Sequence, residues 1–220
     1  MRAKPRETLD RELQSLKDEV LKLGSMVEDA LITSVDLLKQ RDLEGSRKLI
    51  EHDKRINELR FTIEDHTMTV IALHQPMARD ARILGAMMEI STELERIGDY
   101  AKGIAKVNIL IGDQPLLKPL IDVPQMAEKA RSMLHRALDA FVRLDTEAAY
   151  EIPKSDDEVD ALYNQVYREL MTYILADPSC LEQANYLLWV AHNLERAADR
   201  VANVCERIIY TATGELTELS

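Results

Sequence analysis

Two stretches of this chain are altered copies of one another. "ELERIGDYAKGIAKVNI" spans Glu93–Ile109, and "NLERAADRVANVCERII" spans Asn193–Ile209. Leu94, Glu95, Arg96 and Asp99 recur as Leu194, Glu195, Arg196 and Asp199; the offset is 195 − 95 = 100, and 199 − 99 gives the same. Asp42 pairs with Asp145 and Asp53 with Asp156, each 103 apart, so a small insertion or deletion separates these from the later pairs. A unit of this length exceeds the roughly 20–50 residues of a solenoid repeat. The duplication therefore predicts two similar units in tandem.

Each unit reads as helix. Ile83, Met87, Ile90, Leu94, Ile97, Ala101 and Ile104 are spaced by four and three, as in the buried stripe of a bundle helix. Leu187, Val190, Leu194, Ala197, Val201, Val204 and Ile208 repeat the pattern. Prolines at 5, 76, 115, 119, 124, 153 and 178 stand where helices start or stop. The spacing predicts helices over 6–40, 43–74, 77–111, 125–144, 155–176 and 179–213, with a short extra turn near 146–151. The stretch "GDQPLLKPLIDVP", Gly112–Pro124, has three prolines and no helical period, and reads as a linker. No run alternates with period two for long enough to make a strand. The expected fold is all-α: two tandem three-helix bundles, the first repeat in 1–112, a linker at 113–124, and the second repeat in 125–220.

Composition narrows the function. The 220 residues are 46% apolar and 30% charged, as expected of a globular chain, and a net charge of −11 opposes binding to nucleic-acid phosphates or an anionic membrane. A cation or a basic protein surface would suit it. Cys180 and Cys205 form no CxxC pair, so neither a zinc framework nor a disulfide scaffold is expected, and a reducing cytoplasm is the simpler setting. No secretory leader opens the chain, and apolar runs such as "MTVIAL" and "YLLWVA" fall far short of the roughly 20 residues a membrane span needs. Catalysis is not expected. A di-iron carboxylate enzyme needs Glu-x-x-His on two helices, but Leu49, Ile63, Ile71, Ser132 and Trp189 precede the five histidines at that spacing. A phosphate-cradling glycine loop is missing too.

The acidic residues of the duplicated motif pose a specific question. Glu95 with Asp99, and Glu195 with Asp199, are like charges four residues apart, a spacing that weakens a helix by about 0.2–0.5 kcal/mol. On a helical wheel both pairs lie almost opposite the apolar stripe. One helix earlier, each repeat has a second pair, Asp53 with Asn57 and Asp156 with Asp160. One reading is a solvated polar face. The other is a site for a hard or intermediate cation, built from four oxygen-bearing side chains on two helices, with His192 adding a nitrogen ligand and Asn203 on the same face. The second repeat is the better equipped, because Thr92, Gly103 and Lys106 replace His192, Asn203 and Glu206 in the first. Gly85, Gly98 and Gly103 inside one helix, each costing about 1 kcal/mol relative to Ala, suggest close approach by a neighbouring element.

With both halves in view, the chain resembles the PhoU family of phosphate-signalling regulators. "LERIGD" at Leu94–Asp99 and "LERAAD" at Leu194–Asp199 match that family's repeated motif. "QPMARDAR" (Gln75–Arg82) matches the segment before the first copy, and "IIYTATGE" (Ile208–Glu215) the ending after the second. Asn57 departs from the Asp the family usually shows. The resemblance implies two three-helix bundles related by a pseudo-two-fold axis, with surface carboxylate motifs that bind multinuclear iron or another divalent or trivalent metal cluster; zinc, nickel, manganese and magnesium stay open. It also implies a non-enzymatic negative regulator of phosphate uptake and phosphate-starvation signalling. Such a protein couples the ATPase subunit of the phosphate ABC transporter to the phosphate-sensing histidine kinase, touching the membrane only through these partners. A homodimer is the expected assembly. The rival reading is a helical scaffold or adaptor whose polar faces bind protein and no metal.

Overall fold

The structure, a computed structural model, describes residues 5–219. It contains α1 (Pro5–Gln40), α2 (Leu43–His74), α3 (Arg79–Ile111), α4 (Asp122–Arg143), a short α5 (Thr146–Glu151), α6 (Asp156–Ala176) and α7 (Leu181–Thr213). Tight turns of 3-10 helix at Ile152–Ser155 and Pro178–Cys180 lead into α6 and α7. Among the described residues there is no strand. Helices α1, α2 and α3 pack on one another, and α4, α6 and α7 do the same. The two bundles join where α1 meets α4 and where α3 meets α7, while α2 touches only α1 and α3. The expected two-bundle architecture is therefore present, with one apolar core running through both halves and Phe141 among its fully buried members.

Helix ends differ from the sequence expectation where local chemistry prevails. Helix α4 starts at Asp122, three residues earlier than expected. Pro124 thus falls in its first turn, where the missing N–H has no helical partner to lose. Helix α3 starts only at Arg79, because Ala78 takes a positive φ of 48°. The second repeat divides the equivalent of α2 into α5, a 3-10 turn and α6. Pro153 lies in that turn and cannot donate to a helical ladder.

The repeat is legible down to single hydrogen bonds. Arg41 (φ 60°) and Leu144 (φ 53°) end α1 and α4 in the left-handed region. Asp42 and Asp145 follow them as N-caps, accepting from Gly45 N at 2.8 Å and Ala148 N at 3.0 Å. The α3 glycines divide by role. A Cβ at Gly98 would lie 3.2 Å from Ile56 Cδ1 on α2, and one at Gly103 would lie 2.9 Å from the Asn193 amide on α7. Gly85 faces open space, and nothing in the structure explains it.

A polar clamp locks the first repeat. Asn108, fully buried on α3, donates to Leu37 O (3.1 Å), Asp42 O (3.2 Å) and Ser46 Oγ (2.9 Å), and accepts from Arg41. It adds a second layer of bonds at the α1–α2 corner, where Leu37 O already accepts from Asp42 N and Asp42 O from Ser46 N. Asn108→Ala should lower stability by about 1–3 kcal/mol, the cost of the lost hydrogen bonds and of the space left at a fully buried position. Urea denaturation checks this: a midpoint unchanged from the parent would mean the clamp carries no weight.

Candidate functional site

In the first repeat, α2 supplies Asp53 and Asn57 while α3 supplies Glu95 and Asp99. Asp53 is 5% exposed, although the sequence allowed a solvated face. Its Oδ2 accepts from the Lys102 ammonium at 2.6 Å and from Asn57 Nδ2 at 3.1 Å. Lys102 also donates to Asp99 Oδ1 at 3.1 Å. Hydrogen bonding to Asp53 is the main cause that raises the Lys102 pKa, and burial is the main cause that raises that of Glu95, with the Asp99 charge adding to it. These residues do not fit a metal ion as they stand, because an ammonium already lies between Asp53 and Asp99.

In the second repeat, Asp156 and Asp160 open α6, and Glu195 and Asp199 lie on α7. All four are carboxylates, and of the four only Asp199 pairs with an arginine. The Asp156 carboxyl is pushed up to about 7, first by burial, then by the charges of Asp199 and Asp160 and a hydrogen bond with Asp199. Burial, followed by the charge of Asp199, raises Asp160 and Glu195 as well. Asp156 Oδ1 and Glu195 Oε2 are buried atoms without a hydrogen-bond partner. His192 Nδ1 lies 3.3 Å from Glu195 Oε2 but is not aligned to bond it. Arg196 pairs with Asp199 Oδ2 at 2.7 Å.

The donor set of the second repeat fits a hard cation, with carboxylate oxygens in excess and two of them unsatisfied. It is a patch of neighbouring ligands and not a formed coordination sphere. Among the described residues no three acidic, histidine or cysteine side chains already converge as metal ligands. Asn203 lines the same surface cavity as Asp156 and Asp199, but its amide donates across the repeat boundary to Glu93 Oε2 at 3.0 Å.

Sequence reasoning missed two groups here. Lys102 falls at about 80° on the wheel used for Glu95 and Asp99, so its position was available as a signal. Glu93 and Glu89 have the same four-residue spacing, yet they form the seam between the repeats. Glu93 accepts from Arg200 at 3.2 Å, and Glu89 pairs with Arg207 at 2.9 Å. Only the pairing of α3 with α7 reveals their partners.

The family described as "PhoU domain" matches twice, over residues 20–107 and 123–208, one match per repeat. The chain is 37% identical over 210 residues to the phosphate-specific transport system accessory protein PhoU homolog of Aquifex aeolicus, covering 96% of this chain and 95% of that one. It is 33% identical over 204 residues to the phosphate-specific transport system accessory protein PhoU of Escherichia coli K12, covering 93% and 85%. Its fold superposes on the crystal structure of the phosphate transport system regulatory protein PhoU from Streptococcus pneumoniae with a TM-score of 0.88 at 31% identity, covering 96% of this chain and all of that one. With both repeats matched in order and nearly the whole chain aligned, this protein belongs to the PhoU family.

Proposed function

We propose that this protein is an accessory component of phosphate transport that restrains phosphate uptake and phosphate-starvation signalling. The observation that carries this reading is the near full-length match to proteins named as accessory to the phosphate-specific transport system. In this role it acts between the ATPase subunit of the phosphate ABC transporter and the phosphate-sensing histidine kinase, at the cytoplasmic side of the membrane. No helix among the described residues is long and apolar enough to cross a membrane, which accords with attachment through partners. Exposed Phe61, Met68, Leu73 and Met77 along and just beyond α2 give such partners apolar surface to grip. Deleting the gene should switch on phosphate-starvation genes in phosphate-rich medium, and supplying the protein should silence them. Unchanged transcript levels in the deletion strain, with no second family member in that genome, would sink the regulator reading.

Cation binding at the second repeat is the other part of this proposal. Asp156, Asp160, Glu195 and Asp199 would hold the ion, with His192 and Asn203 at the margin. Iron, zinc, nickel, manganese and magnesium are the ions to compare. When bound, the ion supplies positive charge that relieves the repulsion among the four carboxylates. Their own contribution is to present oxygens from two helices at once, so binding braces α6 against α7. In thermal melts with saturating metal, the parent should gain about 2.7 kcal/mol at a hundredfold excess over Kd, while Glu195→Ala with Asp199→Ala gains little. Equal metal shifts in parent and double mutant would instead support the scaffold reading.

Protonation gives an independent check. The Asp156 pKa is about 7 in the folded chain against an ordinary value of 3.8. Between these values the folded state holds a proton that the unfolded chain has lost, so this contribution is fully present below the unfolded pKa and is lost as pH rises towards 7. In chelator, the parent should therefore melt at a lower temperature at pH 8 than at pH 5, and Asp156→Asn should flatten that slope. Parallel pH profiles for the two proteins would show that Asp156 is not the group responsible.

A further inference from the structure

The two carboxylate clusters differ at one position on the helices that carry them. Lys102 follows Asp99 by three residues in α3, and the repeat offset, 202 − 102 = 100, places Ala202 there in α7. In the first repeat the Lys102 side chain is only 25% exposed, and its ammonium bridges Asp53 on α2 and Asp99 on α3. In the second repeat Ala202 lines a surface cavity of about 250 Å3 together with Asp156 and Asp199. One repeat thus has a charged stem and head where the other has a cavity, which Arg196 and Arg200 also line.

We propose that Lys102 is the resident cation of the first repeat, a tethered ammonium standing where a metal ion would otherwise bind, so that only the second repeat is open to a free cation. Three observations support this. Asp53 is 95% buried by difference from its 5% exposure, and a charge so far from water needs a partner. Its other oxygen, Oδ1, has no hydrogen-bond partner, so the pocket keeps unused ligand capacity beside the lysine. Asn57 adds a donor to Asp53 where the second repeat has the acceptor-only carboxylate of Asp160. The formal charges follow suit. Asp53, Glu95 and Asp99 with Lys102 sum to −3 + 1 = −2, whereas Asp156, Asp160, Glu195 and Asp199 with Arg196, the partner of Asp199, sum to −4 + 1 = −3.

An ammonium is a compact point charge with three donors on a flexible stem. Attached to α3, it is always present at its site and independent of metal supply. Asp53 and Asp99 of the first repeat are therefore permanently bridged, while the second repeat responds to the ions around it. The contrast between repeats rests on the cation reading proposed above; the assignment of Lys102 does not.

The test is equilibrium dialysis against manganese(II), read by metal content, on the full chain and on Lys102→Met, which keeps the apolar stem and removes the charge. Parent binding should be unaffected by Glu95→Ala with Asp99→Ala and lost with Glu195→Ala and Asp199→Ala. Lys102→Met should take up additional manganese, and the gain should vanish when Glu95→Ala and Asp99→Ala are added. The reciprocal Ala202→Lys should lose the parent's manganese. Melting in chelator controls for folding: Lys102→Met should melt lower than the parent, and adding Asp53→Asn should restore it. If Lys102→Met gains no manganese, or if the first-repeat double mutant already binds less than the parent, the proposal is overturned. Should the parent bind none at all, the second-repeat reading falls, while a gain in Lys102→Met would still uphold the tethered cation. If Lys102→Met does not fold, Ala202→Lys decides: undiminished manganese binding there overturns the equivalence of the two positions.

Discussion

A carboxylate withdrawn from water must either find a positive partner or surrender its charge to a proton. Both outcomes occur in this chain, at equivalent places. Asp53 lies in the middle of α2 with the Lys102 ammonium against it, and Asp156 lies at the start of α6 with a pKa of about 7. The Asp42 and Asp145 caps are alike, but α2 is unbroken where a 3-10 turn precedes Asp156, and a few side chains add to that difference. A lysine opposite an alanine, and an asparagine opposite an aspartate, convert one design into a closed ion pair and an open acidic patch.

This arrangement depends on how the bundles are joined. Helices α3 and α7 carry the repeated motif, and they are also the helices that meet across the repeat boundary. Glu93 accepts from both Arg200 and Asn203, and Glu89 pairs with Arg207. Arg200 reaches Glu93 across the seam, while Arg196, one turn earlier on α7, holds Asp199. The second carboxylate cluster is thus wired to the seam through its own arginines. A cation that draws Asp199 inward would compete with Arg196 for it, so ion binding and the contact between repeats share a side chain.

Much of the fold was legible in the sequence because helical spacing and proline positions are local signals. The stripe from Ile83 to Ile104 is buried as its period predicts, and Asp42 and Asp145 cap the helices they precede. Errors fell at ends, where Pro124 was tolerated inside a first turn and Ala78 took a positive φ. The candidate site was legible in its residues but not in its surroundings. A helical wheel shows which face Glu95 and Asp53 occupy, yet burial of that face depends on how α2 lies along α3. The same limit hid Lys102, whose partner on α2 is 49 residues away, and Glu93, whose partners on α7 are 107 and 110 residues away.

The most direct measurement is an anomalous difference map from crystals grown with manganese(II) at a pH above the Asp156 pKa. The account predicts signal beside Asp156 and Asp199 in the second repeat, and none between Asp53 and Asp99, where the Lys102 ammonium should still bridge the two carboxylates. Signal at both repeats, with Lys102 swung out to solvent, would contradict it, as would a map with no signal near Asp156.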